Sequence, residues 1–139
     1  MQNYIDTLRL LNYELTRNLG LFRRRAGLSF GQRHILYYID SRSGLSIQEL
    51  AALLYVDQST MSRNIKKLEQ AGLVETYQDT TDKRRKIITL SAQGEKLLAE
   101  TTESINKTIA NIAEILNEDE IEAIINSIRK YSNALIGIH

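Results

Sequence analysis

The chain has 139 residues, of which 42% are hydrophobic and 25% charged; its formal net charge is +1, and it contains neither cysteine nor proline. This length suits one domain, no apolar run approaches the roughly 18 residues of a membrane span, and the N-terminus lacks a secretory-signal pattern. The absence of cysteine excludes disulfides, thiolate metal sites and thiol redox switching, so we expect a globular cytoplasmic protein without a membrane partner.

The first half of the chain predicts four helices, at residues 5–22, 30–41, 47–55 and 58–71. In the first of these, apolar residues recur every three or four positions, which is typical of an amphipathic helix. Ser29 and Ser46 each begin a capping box, and Asp57 is a good N-cap for the fourth helix. Because proline is absent, these caps and the glycines mark the helix boundaries.

Residues 73–90 change to the pattern of short β-strands. Two β-forming runs flank a polar turn at residues 79–83, which predicts one hairpin. Ser91 then caps a long helix that runs to about residue 116, and Asn117, followed by three acids, begins a last helix at 119–136. The apolar residues of these two helices recur at near-heptad spacing.

The helices at 47–55 and 58–71 have the order of a helix-turn-helix, whose second helix enters the major groove of DNA. Met61, Ile65 and Leu68 are spaced by four and three, so they should face inward. The remaining polar side chains predict a DNA-contacting face made of Gln58, Ser59, Thr60, Ser62, Arg63, Lys66 and Lys67. A solvated helix face is the alternative interpretation.

The hairpin turn that follows is basic. An arginine is attracted into a narrow minor groove by its negative potential, so the hairpin predicts a DNA-binding wing; a solvated loop is the alternative. Residues 59–86 contain seven lysines and arginines against four acids, whereas residues 91–127 contain two against eight. This asymmetry indicates that the middle of the chain faces phosphate. The candidate wing residues are Asp82, Lys83, Arg84, Arg85 and Lys86.

Together these motifs resemble the multiple antibiotic resistance regulator (MarR) family of winged helix-turn-helix transcriptional regulators. The resemblance spans essentially the whole chain, through segments 27–29, 49–51, 59–63, 68–74, 82–84 and 90–94. It implies a mainly α fold with a small β-hairpin wing. One protomer, 1–139, would comprise a winged helix-turn-helix DNA-binding lobe at 29–90 and a helical dimerisation region at 1–25 and 91–139. Two departures are Tyr55, where many members have glycine, and Thr76, where an arginine often makes a phosphate contact.

The family's recognition helix lies in the major groove, which places Ser59, Thr60, Ser62 and Arg63 on DNA. Arg84 would enter the minor groove, with its guanidinium held by the Asp82 carboxylate through paired hydrogen bonds. The implied function is a sequence-specific, ligand-responsive repressor of transcription that acts as a homodimer on a palindromic operator. A winged-helix module that binds protein is the alternative, and the exposed basic residues favour DNA.

The near-heptad helices need a second chain to bury their apolar faces, which agrees with the dimer that the family implies. A monomeric helical core is the alternative. A two-fold dimer would place its recognition helices about 34 Å apart, one turn of duplex. The expected interface residues are Ile5, Leu8, Ile112, Leu116, Ile128, Tyr131 and Leu135.

Members of the family often bind small aromatic or acidic effectors in a cleft between the DNA-binding lobe and the dimerisation region. Candidates here are Tyr13, Phe22, Tyr37, Tyr38 and the arginines at 23–25, although ordinary packing is the favoured interpretation of the tyrosines. We expect no cofactor, no metal site and no enzymatic activity. His34 is the only histidine within the folded body, and the glycines match no phosphate-binding loop.

Overall fold

The computed structural model describes residues 1–139 and contains six α-helices, a short 3-10 helix and one antiparallel hairpin. The hairpin pairs β1 with β2 in a register that places Val74 opposite Leu90. This architecture confirms the predicted fold class. The elements are α1 (Gln2–Asn18), α2 (Phe30–Ser41), α3 (Ile47–Leu53), α4 (Gln58–Gln70), β1 (Val74–Gln78), β2 (Lys86–Leu90), α5 (Ala92–Ala110), the 3-10 helix (Asn111–Glu114) and α6 (Glu118–Leu135).

The helix starts are fixed by the capping residues that the sequence predicts. The Ser46 hydroxyl accepts from the Glu49 N–H at 3.1 Å, and the Glu49 carboxylate accepts from the Ser46 N–H at 2.9 Å. Ser29 and Asn117 form equivalent capping boxes at α2 and α6. Each box satisfies backbone donors that the helix itself leaves free, so local sequence determines where these helices begin.

Two helices end more than two residues before the position that the sequence predicts. Helix α1 ends at Asn18, and the chain turns at Gly20, where φ is +68°. Helix α5 ends at Ala110 and tightens into the 3-10 helix instead of continuing to residue 116. The apolar spacing continues through this change, because residues three apart share a face in both helix types. The sequence pattern therefore does not mark it.

The hydrophobic core lies within the lobe formed by α2, α3, α4 and the hairpin. Leu36 and Leu50 are fully buried there, together with Met61, Ile65 and Ile88. Burying a side chain of this size stabilises the fold by about 1.5–3 kcal/mol. By contrast, neither α1 nor α6 contains a buried residue. The lobe therefore has its own core, whereas the terminal helices leave apolar faces exposed.

None of the helices has the length and hydropathy needed to cross a membrane.

A close backbone approach joins α5 to the lobe. A Cβ built at Gly94 would lie 2.0 Å from the Leu73 carbonyl oxygen, so only glycine fits. The Ser91 hydroxyl accepts from the Gly94 N–H at 3.0 Å and donates to the Gly72 carbonyl. The start of α5 is thereby fixed against the end of α4 and the first wing strand.

Candidate nucleic-acid interface

Helix α4 presents one buried face and one exposed face. Met61, Ile65 and Leu68 are at most 2% exposed and pack into the core, which confirms the predicted orientation of the helix. The opposite face has only hydrogen-bonding and basic side chains. Its exposed residues are Gln58, Ser59, Ser62, Arg63, Lys66 and Lys67, with Thr60 half-buried beside them.

The first turn of α4 is organised by Asp57. Its carboxylate accepts from the Thr60 N–H at 2.7 Å and from the hydroxyls of Ser59 and Thr60 at 2.5 and 2.8 Å. Together these hydrogen bonds hold the pKa of Asp57 far below its usual range, and the bond from Ser59 contributes most. Arg63 donates to the Thr60 hydroxyl at 3.2 Å. The hydroxyl protons of Ser59 and Thr60 are therefore engaged by Asp57, and the Thr60 oxygen also accepts from Arg63, whereas the Ser59 oxygen remains available as an acceptor.

The turn between α3 and α4 places Tyr55 in an unusual backbone conformation. Tyr55 adopts a φ of +55°, in the left-handed region that costs a side-chain-bearing residue about 1–2 kcal/mol. Its exposed ring lies 4.5 Å, centroid to centroid, from that of His139. The turn thus has the shape that a glycine would favour, although tyrosine occupies it.

The wing tip projects free basic side chains. Lys83, Arg84 and Lys86 are exposed, and none of them makes an ion pair within the chain. Asp82 accepts from the backbone N–H of Arg84 at 3.0 Å, not from its guanidinium. The expected pairing of the Asp82 carboxylate with that guanidinium is therefore wrong in this structure. An aspartate in a turn readily bonds the backbone two residues on, and here this local contact prevails.

Arg85 differs from its neighbours because its guanidinium points back to the lobe. Nη2 lies 2.6 and 2.7 Å from the two Glu49 oxygens and donates to the Gly44 carbonyl at 2.8 Å, while Nη1 lies 3.2 Å from Asp79. The hydrogen bonds to Glu49 raise the pKa of Arg85 the most, and the hydrogen bond to Asp79 raises it further. The interpretation of Arg85 as a free wing cation is corrected, since two carboxylates already hold its side chain.

Thr76 also has a structural contact. Its hydroxyl donates to Glu69 at 3.0 Å and so ties the first wing strand to the end of α4. Because this position often bears an arginine in the family that the sequence resembles, the hydrogen bond shows what the threonine does instead. It joins the wing to α4.

A cavity of about 350 Å³ lies between α2, α5 and the segment that joins α1 to α2. Arg33 lines it while only 6% exposed, and its Nε and Nη1 have no hydrogen-bond partner. Burial lowers the pKa of Arg33, and the nearby charge of Arg25 lowers it further. No aspartate or glutamate lines the cavity. It therefore combines an apolar wall with two cations that lack a counterion.

The sequence predicts only some of the residues that line this cavity. Tyr37 and Arg25 line it as proposed, whereas Tyr13, Tyr38 and the arginine at position 23 do not. Phe22 and Arg24 line a neighbouring groove instead. The most informative residue, Arg33, was missed. Its position among the inward-facing apolar residues of α2 was the available signal.

The residues expected at a dimer interface leave apolar surface uncovered in the single chain. Ile5, Leu8 and Ile128 are each about half exposed, at 51%, 47% and 52%. Leu116 is half-buried, and the remaining exposed members are Ile112, Tyr131 and Leu135. The Asn12 amide of α1 donates to the Tyr131 hydroxyl of α6 at 2.8 Å. Their role in an interface remains a prediction.

Comparison with known proteins adds independent findings to this geometry. Residues 28–86 match the model of the MarR family. The chain is 29% identical over 107 residues to the HTH-type transcriptional regulator BilQ of Clostridium symbiosum, an alignment that covers 77% of this chain and 74% of BilQ.

Solved structures show the same fold along almost the whole chain. A Staphylococcus aureus MepR–DNA complex superimposes with a TM-score of 0.74 at 25% identity, covering 95% of this chain and 97% of MepR. Apo MarR from Escherichia coli gives a TM-score of 0.75 at 20% identity, covering 91% and 94% of the two chains. The similarity thus extends through the terminal helices as well as the lobe.

Proposed function

We propose that the chain is a transcriptional regulator of the MarR family, whose model matches residues 28–86, and that it binds double-stranded DNA sequence-specifically. The observation that carries the proposal is the exposed hydrogen-bonding face of α4 beside a wing tip with the free cation of Arg84. A helix of this kind reads base edges in the major groove, and an arginine suits the narrow minor groove. That the similar MepR has been solved with DNA supports the proposal.

We assign DNA binding and dimerisation to different parts of the chain according to which side chains are exposed. The lobe at 29–90 binds DNA, and residues 1–25 and 91–139 form the dimerisation region. Asp82 shapes the wing turn without contacting a base. Proposed DNA contacts are Gln58, Ser59, Thr60, Ser62, Arg63, Lys66, Lys67, Lys83, Arg84 and Lys86.

We propose a homodimer because α1 and α6 leave apolar residues uncovered that a second copy would bury. A two-fold axis makes the two recognition helices equivalent, so the operator is a palindrome with half-sites about 10 base pairs apart. The dimer acts in the cytoplasm, represses transcription by occupying its operator and performs no catalytic step.

Selection of duplexes from a random pool by the purified protein tests DNA binding and specificity together. We expect enrichment of one palindromic sequence. A winged-helix module that binds protein would enrich none, and that result would overturn the proposal.

The cavity at Arg33 favours regulation by a small acidic effector. A carboxylate there would be attracted by the guanidinium groups of Arg33 and Arg25. Its apolar or aromatic body would pack against Leu98, Ile105 and Tyr37. An effector that binds the DNA-free form better than the DNA-bound form would cause the protein to dissociate from its operator.

Salicylate provides a simple probe of this cavity. At about 100 times its dissociation constant, a bound ligand stabilises the folded protein by about 2.7 kcal/mol. We expect salicylate to raise the melting temperature of the wild type and not that of Arg33→Met. Benzyl alcohol, which has no carboxylate, is the matched control. Equal shifts in both proteins would contradict anion recognition by Arg33.

A further inference from the structure

One guanidinium, that of Arg85, joins the turn of the wing to the lobe. We infer that Arg85 is a positioning residue: it fixes the wing relative to α3, and through it the direction in which Arg84 meets DNA. The inference rests on the proposed function, because it concerns how the DNA-binding surface is held in shape. It assigns to Arg85 a role different from that of its two basic neighbours.

The guanidinium joins three segments that are distant in sequence. It donates to the Gly44 carbonyl before α3, to the Glu49 carboxylate in the first turn of α3, and to Asp79 at the start of the wing turn. The Arg85 side chain is 32% exposed and that of Asp79 is 17% exposed. These are partly shielded, charge-assisted bonds, which are stronger than those between neutral groups.

Both carboxylates are themselves held in place. Glu49 also accepts from the Ser46 N–H in the α3 capping box. Asp79 accepts from the N–H and hydroxyl of Thr81, each at 3.1 Å. Hydrogen bonds to backbone and to Arg85 lower the pKa of both acids, so both stay ionised near neutral pH. Arg85 thus connects two rigid acceptors, one on each side of the joint.

The strands of the wing contact the lobe independently of Arg85: Ile87 and Ile88 are buried, and the Thr76 hydroxyl donates to Glu69. The second wing strand makes an isolated bridge from Ile87 to Ser46, and the Ile88 N–H donates to the Leu45 carbonyl at 3.0 Å. Beyond these contacts the wing turn extends freely to Arg84, next to Arg85 in the chain. Because Arg85 already holds the wing turn in place, Arg84 binds the minor groove without the entropic cost of ordering that turn.

Substitutions at the joint distinguish positioning from simple charge. Arg85→Lys keeps the positive charge but cannot form the planar fork, so we expect it to weaken binding about tenfold, as Arg85→Ala does. Asp79→Asn removes a negative charge near DNA, which by charge alone would tighten binding; positioning predicts weaker binding. Glu75→Gln, an exposed carboxylate on β1 without an ion pair, is the matched control and should not weaken binding.

A double-substitution cycle measures whether Arg85 acts through Arg84. Affinities are measured at fixed salt on the duplex that the wild type selects, with thermal melting of each variant as a check on folding. In an Arg84→Ala background, loss of Arg85 should reduce affinity by a smaller factor than it does in the wild type. A general loss of stability would instead weaken binding equally in both backgrounds.

Three results would overturn the inference. These are wild-type affinity in Arg85→Lys, tighter binding by Asp79→Asn, or an undiminished effect of Arg85→Ala in the Arg84→Ala background. Each leaves sequence-specific DNA binding by the wild type intact. If the wild type selects no duplex, the proposed function fails and the positioning role fails with it, so the two failures are distinguishable.

Discussion

Replacing Arg33 with methionine should stabilise the ligand-free protein, an unusual outcome for a buried position. Two guanidinium donors, Nε and Nη1, are buried without partners, and each buried unsatisfied donor costs about 1–3 kcal/mol. The repulsion between Arg33 and Arg25 that contributes to the lowered pKa of Arg33 disappears as well. Methionine keeps an unbranched stem of similar length, so most of the packing remains.

The opposing loss comes mainly from Phe30. The Arg33 Cζ lies 5.9 Å from the centre of that ring, a contact worth about 0.5–1 kcal/mol. For two donors less this contact, the net expectation is an increase of about 1–5 kcal/mol in the free energy of unfolding. Such a gain raises the melting temperature by roughly 3 °C per kcal/mol in a chain of this size.

Thermal and urea unfolding at equal protein concentration measure this change. Arg42→Met, at an exposed position after α2, is the matched control and should stay within about 0.5 kcal/mol of the wild type. A clear loss of stability in Arg33→Met would show that the guanidinium contributes to the fold, which would refute the account of Arg33 as a cation kept for an anionic ligand.

Three further perturbations follow from the structure. Gly94→Ala should destabilise by more than about 2 kcal/mol, because its Cβ would meet the Leu73 carbonyl; Gly31→Ala, with open space around it, is the control, and equal unfolding midpoints would contradict the close approach. Lowered pKa values of Glu49, Asp57 and Asp79 mean that the unfolded state binds more protons in acid. Stability should therefore be complete above about pH 5 and fall as the pH drops through 4 and below, and a flat profile by urea unfolding would contradict this. Leu8→Glu should shift the protein from dimer to monomer in sedimentation equilibrium and weaken operator binding at least tenfold; an unchanged dimer would remove α1 from the interface.

The parts of the fold predicted from sequence are those that depend on local interactions. The capping boxes at Ser29, Ser46 and Asn117 act within four residues, so their spacing alone marks the helix starts. The inward face of α4 follows from the spacing of Met61 and Ile65, because helix geometry repeats regularly.

The parts that escaped prediction depend on contacts between distant segments. Arg84 and Arg85 are adjacent and chemically identical. They differ in the partners that hold Arg85, two of which, the Gly44 carbonyl and the Glu49 carboxylate, lie 41 and 36 residues away. The unpaired state of Arg33 likewise depends on which side chains of α5 surround it. Local patterns contain neither kind of information.

The most direct test of the central claim is the affinity of the protein for its selected duplex as a function of salt, measured for the wild type, Arg63→Ala and Arg84→Ala. We expect wild-type affinity to fall steeply with salt, because bound phosphates release counterions. Arg63→Ala should lose about 1–3 kcal/mol and relax the sequence preference, and Arg84→Ala should bind more weakly while remaining dimeric. Unchanged affinity in both variants at the same salt would contradict DNA recognition by α4 and the wing.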